Sequence, residues 1–191
     1  MISPDLARDL ARISYECGRQ IGLLVARSGT VEMVLAGGPG SLYIPDLPKS
    51  RGGRSHLRGL RLVHTHLGEE PLSQDDLMDL VFLRLDCVAA VCVDRHGGAT
   101  RLEVAHILPS SRDREPAWRI LPPLPCYDPD LDIRQMVQSL EEELERNRLA
   151  VEASRAEDRA ILVSVTSADK ETALDSMAEL QELARTGGIE A

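Results

Sequence analysis

The sequence predicts an α/β fold, with a mixed β-sheet and flanking helices followed by a long linker helix and a truncated βα unit. Apolar runs of strand length alternate with amphipathic helical patterns along the chain. Residues 87–93 are almost wholly apolar, which is typical of a strand buried on both faces. Hydrophobic residues make up 43% of the 191 residues and aromatic residues only 3%, so the core must consist of Leu, Val, Ile and Ala.

The first elements are a helix and a hairpin. Ser3 suits a helix cap, Pro4 the first helical position and Gly18 the helix end. The apolar stripe of this helix is predicted at Leu6, Leu10, Ile13 and Cys17. Strands are predicted at 20–26 and 30–36, with a turn between them, and a third short strand at 42–44.

A second group of elements follows a polar, glycine-containing loop at 47–59. We expect a strand at 60–66, then a helix at 73–85 with Leu77, Leu80, Val81 and Leu85 inward. Strands are predicted at 87–93 and 102–108, and a last one from Trp118.

The proline-rich segment 121–130 is predicted to be a semi-rigid boundary. Beyond it we expect a charged helix at 132–156, a strand at 161–165 and a helix at 170–185. The helix at 132–156 lacks a strict heptad pattern, so it is predicted to be a packed linker and not a coiled coil. The predicted domains are 1–125, 126–157 and 158–191. The last has one strand and one helix, too little to bury a core, so we expect it to be cut from something longer.

Composition narrows the classes of function. A net charge of −9 argues against a nucleic-acid protein held by its overall charge. No apolar run reaches the ~20 residues that cross a bilayer, and no signal peptide is visible, so no membrane association is expected. The four cysteines form no C-x-x-C pair, which favours a reduced, cytoplasmic compartment.

The residues that suggest chemistry lie where the predicted strand at 60–66 meets a loop. Side chains repeat every second residue in a strand, so His64 and His66 point the same way. Ser73 suits a helix cap, with Asp76 in the first helical turn. Two imidazoles and a carboxylate can form a zinc site with an open fourth position. The alternative is a polar strand end held by hydrogen bonds, with Ser73 acting as a cap alone.

The tail resembles the conserved N-terminal region of HflX-type GTPases. The resemblance lies in Asp158-Arg-Ala-Ile-Leu-Val-Ser-Val and in Ser176-Met-Ala-Glu-Leu-x-Glu-Leu-Ala-x-Thr-Gly-Gly. Longer members carry an extra N-terminal domain with a segment like Gly59-Leu-Arg-Leu-Val-His-Thr-His-Leu. The resemblance implies a GTPase that binds the large ribosomal subunit and splits or rescues stalled ribosomes. Because this chain has no G-x-x-x-x-G-K-[ST] loop, GTP and Mg²⁺ are expected only in a GTPase domain outside it.

The first domain resembles the JAMM/MPN metalloprotease pattern, which RadC-type proteins echo. That pattern has a glutamate in an early strand, then His-x-His, then Ser-x-x-Asp. The resemblance implies zinc held by His64, His66 and Asp76, with Glu32 as general base and Ser73 steadying the oxyanion or water. Six residues separate His66 from Ser73 where the family usually has seven, so Asp75 is the alternative ligand.

Two functions follow as expectations. The first is a non-catalytic accessory or regulatory region of a ribosome-associated GTPase that acts by binding or positioning. In this hypothesis Arg51, Arg54 and Arg58 of the basic loop are candidate contacts to ribosomal RNA, because phosphate contacts need only cationic side chains on a reachable surface. The second is a zinc-dependent hydrolase of amide or isopeptide bonds that uses Glu32.

Overall fold

The computed structural model of the protein describes residues 2–47, 56–109, 116–127, 131–154, 158–167, 169–187 and 189–190. The chain divides into two compact units, Met1–Arg148 and Leu149–Ala191. The division falls inside a helix, 23 residues beyond the boundary that the sequence predicts at 125.

The first unit contains three helices and seven strands, all in its described part. They are α1 (Pro4–Cys17), β1 (Ile21–Ala26), β2 (Val31–Ala36), β3 (Leu60–Leu67), α2 (Gln74–Phe82), β4 (Cys87–Val93), β5 (Ala99–Ile107), β6 (Trp118–Ile120), β7 (Leu124–Pro125) and the first part of α3 (Ile133–Ser154). The strands form one sheet in the order β2-β1-β3-β4-β5-β6, and β7 also pairs with β5. Strands β3 and β4 pair parallel, while the other described pairs of this sheet are antiparallel. The predicted mixed α/β class is therefore confirmed.

The centre of the sheet is fully buried. Every residue of β4 is buried, as its unbroken apolar run predicts. Leu77 and Leu80 of α2 join this core, together with Ile133, Val137 and Leu140 at the start of α3. The first part of α3 is thus a packed helix, and the proline-rich segment before it is not simply a spacer, because β7 pairs there with β5.

Helix α1 begins and ends where predicted, but its buried face differs from the predicted one. Ser3 Oγ accepts a hydrogen bond from Leu6 N at 3.2 Å, and Gly18 ends the helix with φ of 63°. The buried residues are Ala7, Leu10, Ala11 and Ser14, whereas the predicted Leu6, Ile13 and Cys17 are exposed. Small side chains allow a close approach to the sheet, where Thr65 Oγ1 donates to Ser14 Oγ at 2.7 Å. Close packing therefore overrides the stripe of larger apolar residues.

The strand predicted at 42–44 is wrong, since these residues are irregular. The side chain of Leu42 instead packs against the sheet at Gly22. It comes so close that a Cβ added at Gly22 would lie 2.5 Å from Leu42 Cδ2. The side chain is used for packing while the backbone pairs with no strand. Leu42 and Ile44 pack partly buried against the core, whereas Tyr43 between them is 76% exposed, so the apolar triplet does not form a strand.

The second unit is small and mostly exposed. Its helix α4 (Lys170–Thr186) is capped by Asp169, whose Oδ1 accepts from Glu171 N and Thr172 N at 3.0 Å each. Two short strands, β8 (Asp158–Arg159) and β9 (Ile189–Glu190), pair parallel. The strand predicted at 161–165 is wrong: the segment is irregular, with Ile161 92% and Val165 96% exposed. Its β-branched residues have strand propensity, but no described strand of this unit pairs with them.

Candidate metal centre

The end of β3 presents two histidines to one face of the sheet. His64 lies opposite Gly22 of β1 and Ala90 of β4, and His66 lies opposite Cys92. Because Gly22 and Ala90 are small, the His64 ring fits between its neighbours and is completely buried. The two ring centroids lie 4.7 Å apart at an interplanar angle of 64°. The period of two along the strand thus places both imidazoles together, as predicted.

The carboxylate of Asp76 reaches these rings from the first turn of α2. Ser73 caps the helix: its Oγ accepts from Asp76 N at 3.2 Å, while Asp76 Oδ2 accepts from Ser73 N and Ser73 Oγ at 2.7 Å each. This reciprocal capping fixes the orientation of the carboxylate. Leu77 and Leu80 then hold the helix against the sheet.

The three side chains converge at distances that suit a metal. Asp76 Oδ2 lies 3.2 Å from His66 Nε2, and Asp76 Oδ1 lies 3.5 Å from His64 Nε2. One possible ligand atom from each of the three residues lies within 4.8 Å of the others. Tetrahedral ligands about 2.1 Å from a zinc ion are separated by roughly 3.4 Å. His64, His66 and Asp76 can therefore hold a metal ion without large rearrangement.

The histidines differ in how their nitrogens are satisfied. His66 Nδ1 lies 3.1 Å from Glu70 O, so a proton on Nδ1 would be donated there and leave Nε2 free as a ligand. Both ring nitrogens of His64 are buried and have no hydrogen-bond partner among the described residues. The 3.5 Å approach of Asp76 Oδ1 to His64 Nε2 lacks hydrogen-bond geometry. An orphaned buried imidazole is unfavourable, and a metal bond would satisfy one of its nitrogens.

The protonation of the site reflects its burial. Desolvation lowers the pKa of His64 to about 4, so this ring is neutral at pH 7. Burial alone would lower the pKa of His66, but the hydrogen bond and charge of Asp76 raise it. Burial alone would raise the pKa of Asp76, but His66, His64 and Ser73 together lower it to about 2. A neutral imidazole and an ionised carboxylate are the forms that bind metal.

Other residues predicted for this site lie elsewhere. Glu32 is exposed on β2, an edge strand. Leu35 of β2 pairs with Gly22 of β1, and Gly22 pairs with His64 of β3, so Leu35 and His64 are two strands apart. Glu32 precedes Leu35 by three residues on β2. Strand spacing and rise place its Cα roughly 14 Å from that of His64. Asp75 is exposed and does not join the group, although it neighbours Asp76 in sequence.

The basic loop is only partly described. Arg51 and Arg54 lie outside the described residues, so their predicted contact to RNA stays a prediction. Arg58 is held within the first unit, where its Nε donates to Leu83 O at 2.7 Å.

Two carboxylates near the site were not predicted. Glu103 is buried and lies opposite Ala90, which is itself opposite His64, so Glu103 shares their face of the sheet. It pairs with Arg101 Nε at 3.0 Å. Asp79 follows Asp76 by one helical turn, and burial together with the charges of Asp76 and Asp75 raises its pKa. The only available signal for Glu103 was a single acid inside an apolar strand.

No helix in the described ranges is both long and apolar enough to cross a bilayer. Comparisons with protein-family models, curated proteins and solved structures found no match. The resemblances to HflX-type GTPases and to the JAMM/MPN pattern therefore stay predictions, and the strongest functional feature is the geometry of the His64–His66–Asp76 group.

Proposed function

We propose that the first unit is a zinc-binding module in which His64, His66 and Asp76 hold the ion. The observation that supports this most is the buried His64 ring, whose nitrogens have no hydrogen-bond partner in the described chain. Two imidazole nitrogens and one carboxylate oxygen are a ligand set that zinc accepts, with room for a fourth ligand. The bound ion would tie the end of β3 to the beginning of α2.

Elemental analysis of the purified chain tests this proposal. We expect about one zinc per chain in the wild type and none in the double variant His64→Ala/His66→Ala. Asp76→Asn should lower the zinc content, whereas the exposed neighbour Asp75→Asn is the matched control and should retain it. Absence of zinc after incubation with the ion and removal of the excess would overturn the proposal.

We infer that this module serves a ribosome-associated GTPase of the HflX type as an accessory region that acts by binding or positioning. The support is the sequence resemblance in 158–165 and 176–188, together with the lack of a phosphate-binding loop in this chain. Cytoplasmic location and contact with the large ribosomal subunit and with a GTPase domain of the same protein belong to this proposal.

Co-sedimentation of the full-length protein with ribosomes tests the accessory role. Binding should weaken as salt rises, because neutralising phosphates releases counterions. Replacing Arg51, Arg54 and Arg58 together should weaken binding and flatten its salt dependence. Unchanged binding and salt dependence would remove the basic loop from the interaction, and no binding by the parent protein would contradict the accessory role.

The second candidate is a zinc-dependent hydrolase of amide or isopeptide bonds. Three protein ligands favour it, because catalytic zinc sites keep one position open for water. The exposed position of Glu32, roughly 14 Å from His64 by strand geometry, speaks against that residue as the base. Zinc-loaded protein should be assayed on an isopeptide-linked substrate beside Glu32→Gln. If the wild type cleaves the substrate and Glu32→Gln does not, Glu32 acts as the general base despite its position.

A further inference from the structure

A second candidate binding site lies on the first unit, where the beginning of α3 lies near the end of β1 and the beginning of β3. A cavity of about 270 Å³ is lined there by Arg27, Arg61 and Arg134. The same three arginines line an adjoining cavity of about 260 Å³. None of them belongs to the proposed zinc site.

Two carboxylates also line the larger cavity, and both are already bound to one arginine. Asp86 accepts from Arg27 Nε at 2.6 Å and from Arg27 Nη2 at 3.0 Å. Glu141 accepts from Arg27 Nη1 at 3.0 Å and from Arg27 Nη2 at 2.8 Å. These bonds use four of the five N–H groups of Arg27, so this guanidinium has little capacity left for a ligand.

The other two guanidinium groups lack such partners. Within the described chain, Arg61 Nε is buried without a hydrogen-bond partner. Arg134 is exposed on α3 and forms no hydrogen bond or ion pair with the residues described. Three arginines and two carboxylates give the larger cavity a net charge of +1, because Arg61 and Arg134 contribute +2 and the group of Arg27, Asp86 and Glu141 contributes −1. Asp132 lines only the adjoining cavity, where it accepts a hydrogen bond from Gln135 N; with it, the formal charges that line the two cavities sum to zero.

The rest of the lining gives the cavity an apolar wall. Ile133 and Val137, one turn apart on α3, are both buried and line the cavity. Guanidinium groups match the geometry of phosphate oxygens and can bind them in a bidentate manner. A volume near 270 Å³ lies just below the range of about 300–1,000 Å³ that is usual for ligand cavities, so it suits a small molecule of about a dozen non-hydrogen atoms.

We propose that this cavity binds a small organic phosphate, with the phosphoryl group between Arg61 and Arg134 and a compact apolar body against Ile133 and Val137. The site is separate from the zinc site and needs no metal. Its ligand would contact both the sheet and α3, so binding would stabilise their association.

Calorimetric titration of the full chain with phenyl phosphate tests the proposal. We expect saturable binding at one site per chain, and binding at least tenfold weaker in Arg134→Ala and in Arg61→Met. Arg134 is exposed on a helix, where alanine is well tolerated, so this variant keeps the test valid if Arg61→Met fails to fold. Arg119→Ala, which removes an exposed arginine of β6 outside the cavity, is the control and should bind like the wild type.

Further ligands and variants define the chemistry. Phenol should not bind, inorganic phosphate should bind more weakly than phenyl phosphate, and benzoate should bind more weakly than phenyl phosphate. Glu141→Gln should bind phenyl phosphate more tightly, because it removes a negative charge from the cavity. His64→Ala/His66→Ala should bind it normally, which separates this site from the zinc site. No saturable binding, or an equal loss in Arg119→Ala, would overturn the proposal.

Discussion

The two carboxylates on Arg27 provide a matched test of how burial sets the strength of an ion pair. Asp86 and Glu141 each accept two hydrogen bonds from the same guanidinium, at similar distances. Their side chains differ in exposure, with 3% for Asp86 and 32% for Glu141. Asp86 Oδ1 also accepts from Gly59 N at 3.0 Å. We expect Asp86→Ala to destabilise the first unit far more than Glu141→Ala.

The expected size follows from what each change leaves unpaired. Breaking a buried ion pair by removing one partner costs about 3–5 kcal/mol. When Asp86 is removed, Arg27 keeps its partner Glu141 and is 43% exposed to solvent, so leaving its charge without Asp86 costs less than in a fully buried pair. Adding the orphaned Gly59 N–H, we expect a loss of about 2–3 kcal/mol for Asp86→Ala. Glu141 is part of a more exposed pair, so its removal should cost below about 1 kcal/mol.

Urea unfolding followed by far-ultraviolet circular dichroism gives both free energies. The double variant Asp86→Ala/Arg27→Met supplies the control, since removing both partners should cost less than the sum of the single changes. A loss for Glu141→Ala as large as that for Asp86→Ala would refute the reasoning, because exposure would then not determine the strength of these pairs.

Three further outcomes are expected. Ser73→Ala should weaken zinc binding about 10- to 100-fold, because Ser73 orients the Asp76 carboxylate. The lost helix cap should also lower the free energy of unfolding of the metal-free protein by about 1 kcal/mol. Equal zinc affinity in the variant and the wild type would contradict this prediction. Leu80→Ala should cost about 2–5 kcal/mol in urea unfolding, because Leu80 is fully buried between α2 and the sheet, whereas Phe82→Ala on the exposed side should cost little. Chelator-treated protein should lose stability as pH falls from about 6.5 towards 4, and His64 should contribute up to about 3 kcal/mol of this loss. The reason is that the pKa of His64 is about 4 in the folded protein and about 6.5 in the unfolded chain, so the unfolded chain binds the proton first. His66 has a raised pKa and acts in the opposite direction, so the comparison is with His64→Gln, which should show a shallower pH dependence.

The residues of the candidate site could be predicted because each signal is local. A His-x-His pair at the end of an apolar run requires only the period of a strand, and a Ser-x-x-Asp helix start requires only capping chemistry. Glu32 could not be placed in this way. Its distance from His64 depends on the order and register of β2, β1 and β3, and nothing near Glu32 in sequence encodes that pairing. Glu103 was overlooked for the same reason, because it reaches the site's face through β4.

Where the fold differs from prediction, tertiary packing overrode a local pattern. The buried face of α1 combines the predicted Leu10 with the small residues Ala7, Ala11 and Ser14, which allow a close contact with the sheet, while Leu6 and Ile13 stay exposed. Residues 161–165 are rich in β-branched residues, yet strand formation needs a partner strand as well as propensity. A window of a few residues shows neither how closely a helix approaches the sheet nor whether a strand finds a partner.

Topology explains why His64 and His66 converge with Asp76, which follows them by twelve and ten residues in the sequence. Within the seven-stranded sheet, β3 and β4 run parallel, so the chain must cross over the sheet between them. The crossover begins where β3 ends at Leu67, one residue after His66, and its helix α2 starts at Gln74 with Ser73 as the N-cap. The N-terminal turn of α2 therefore lies over the carboxyl end of β3 for reasons of connectivity alone. A strand ending in His-x-His then needs only an acid in that first turn to assemble the ligands. The same argument implies that lengthening the loop between Leu67 and Ser73 should weaken zinc binding while leaving the sheet intact, because it loosens α2 without altering β3.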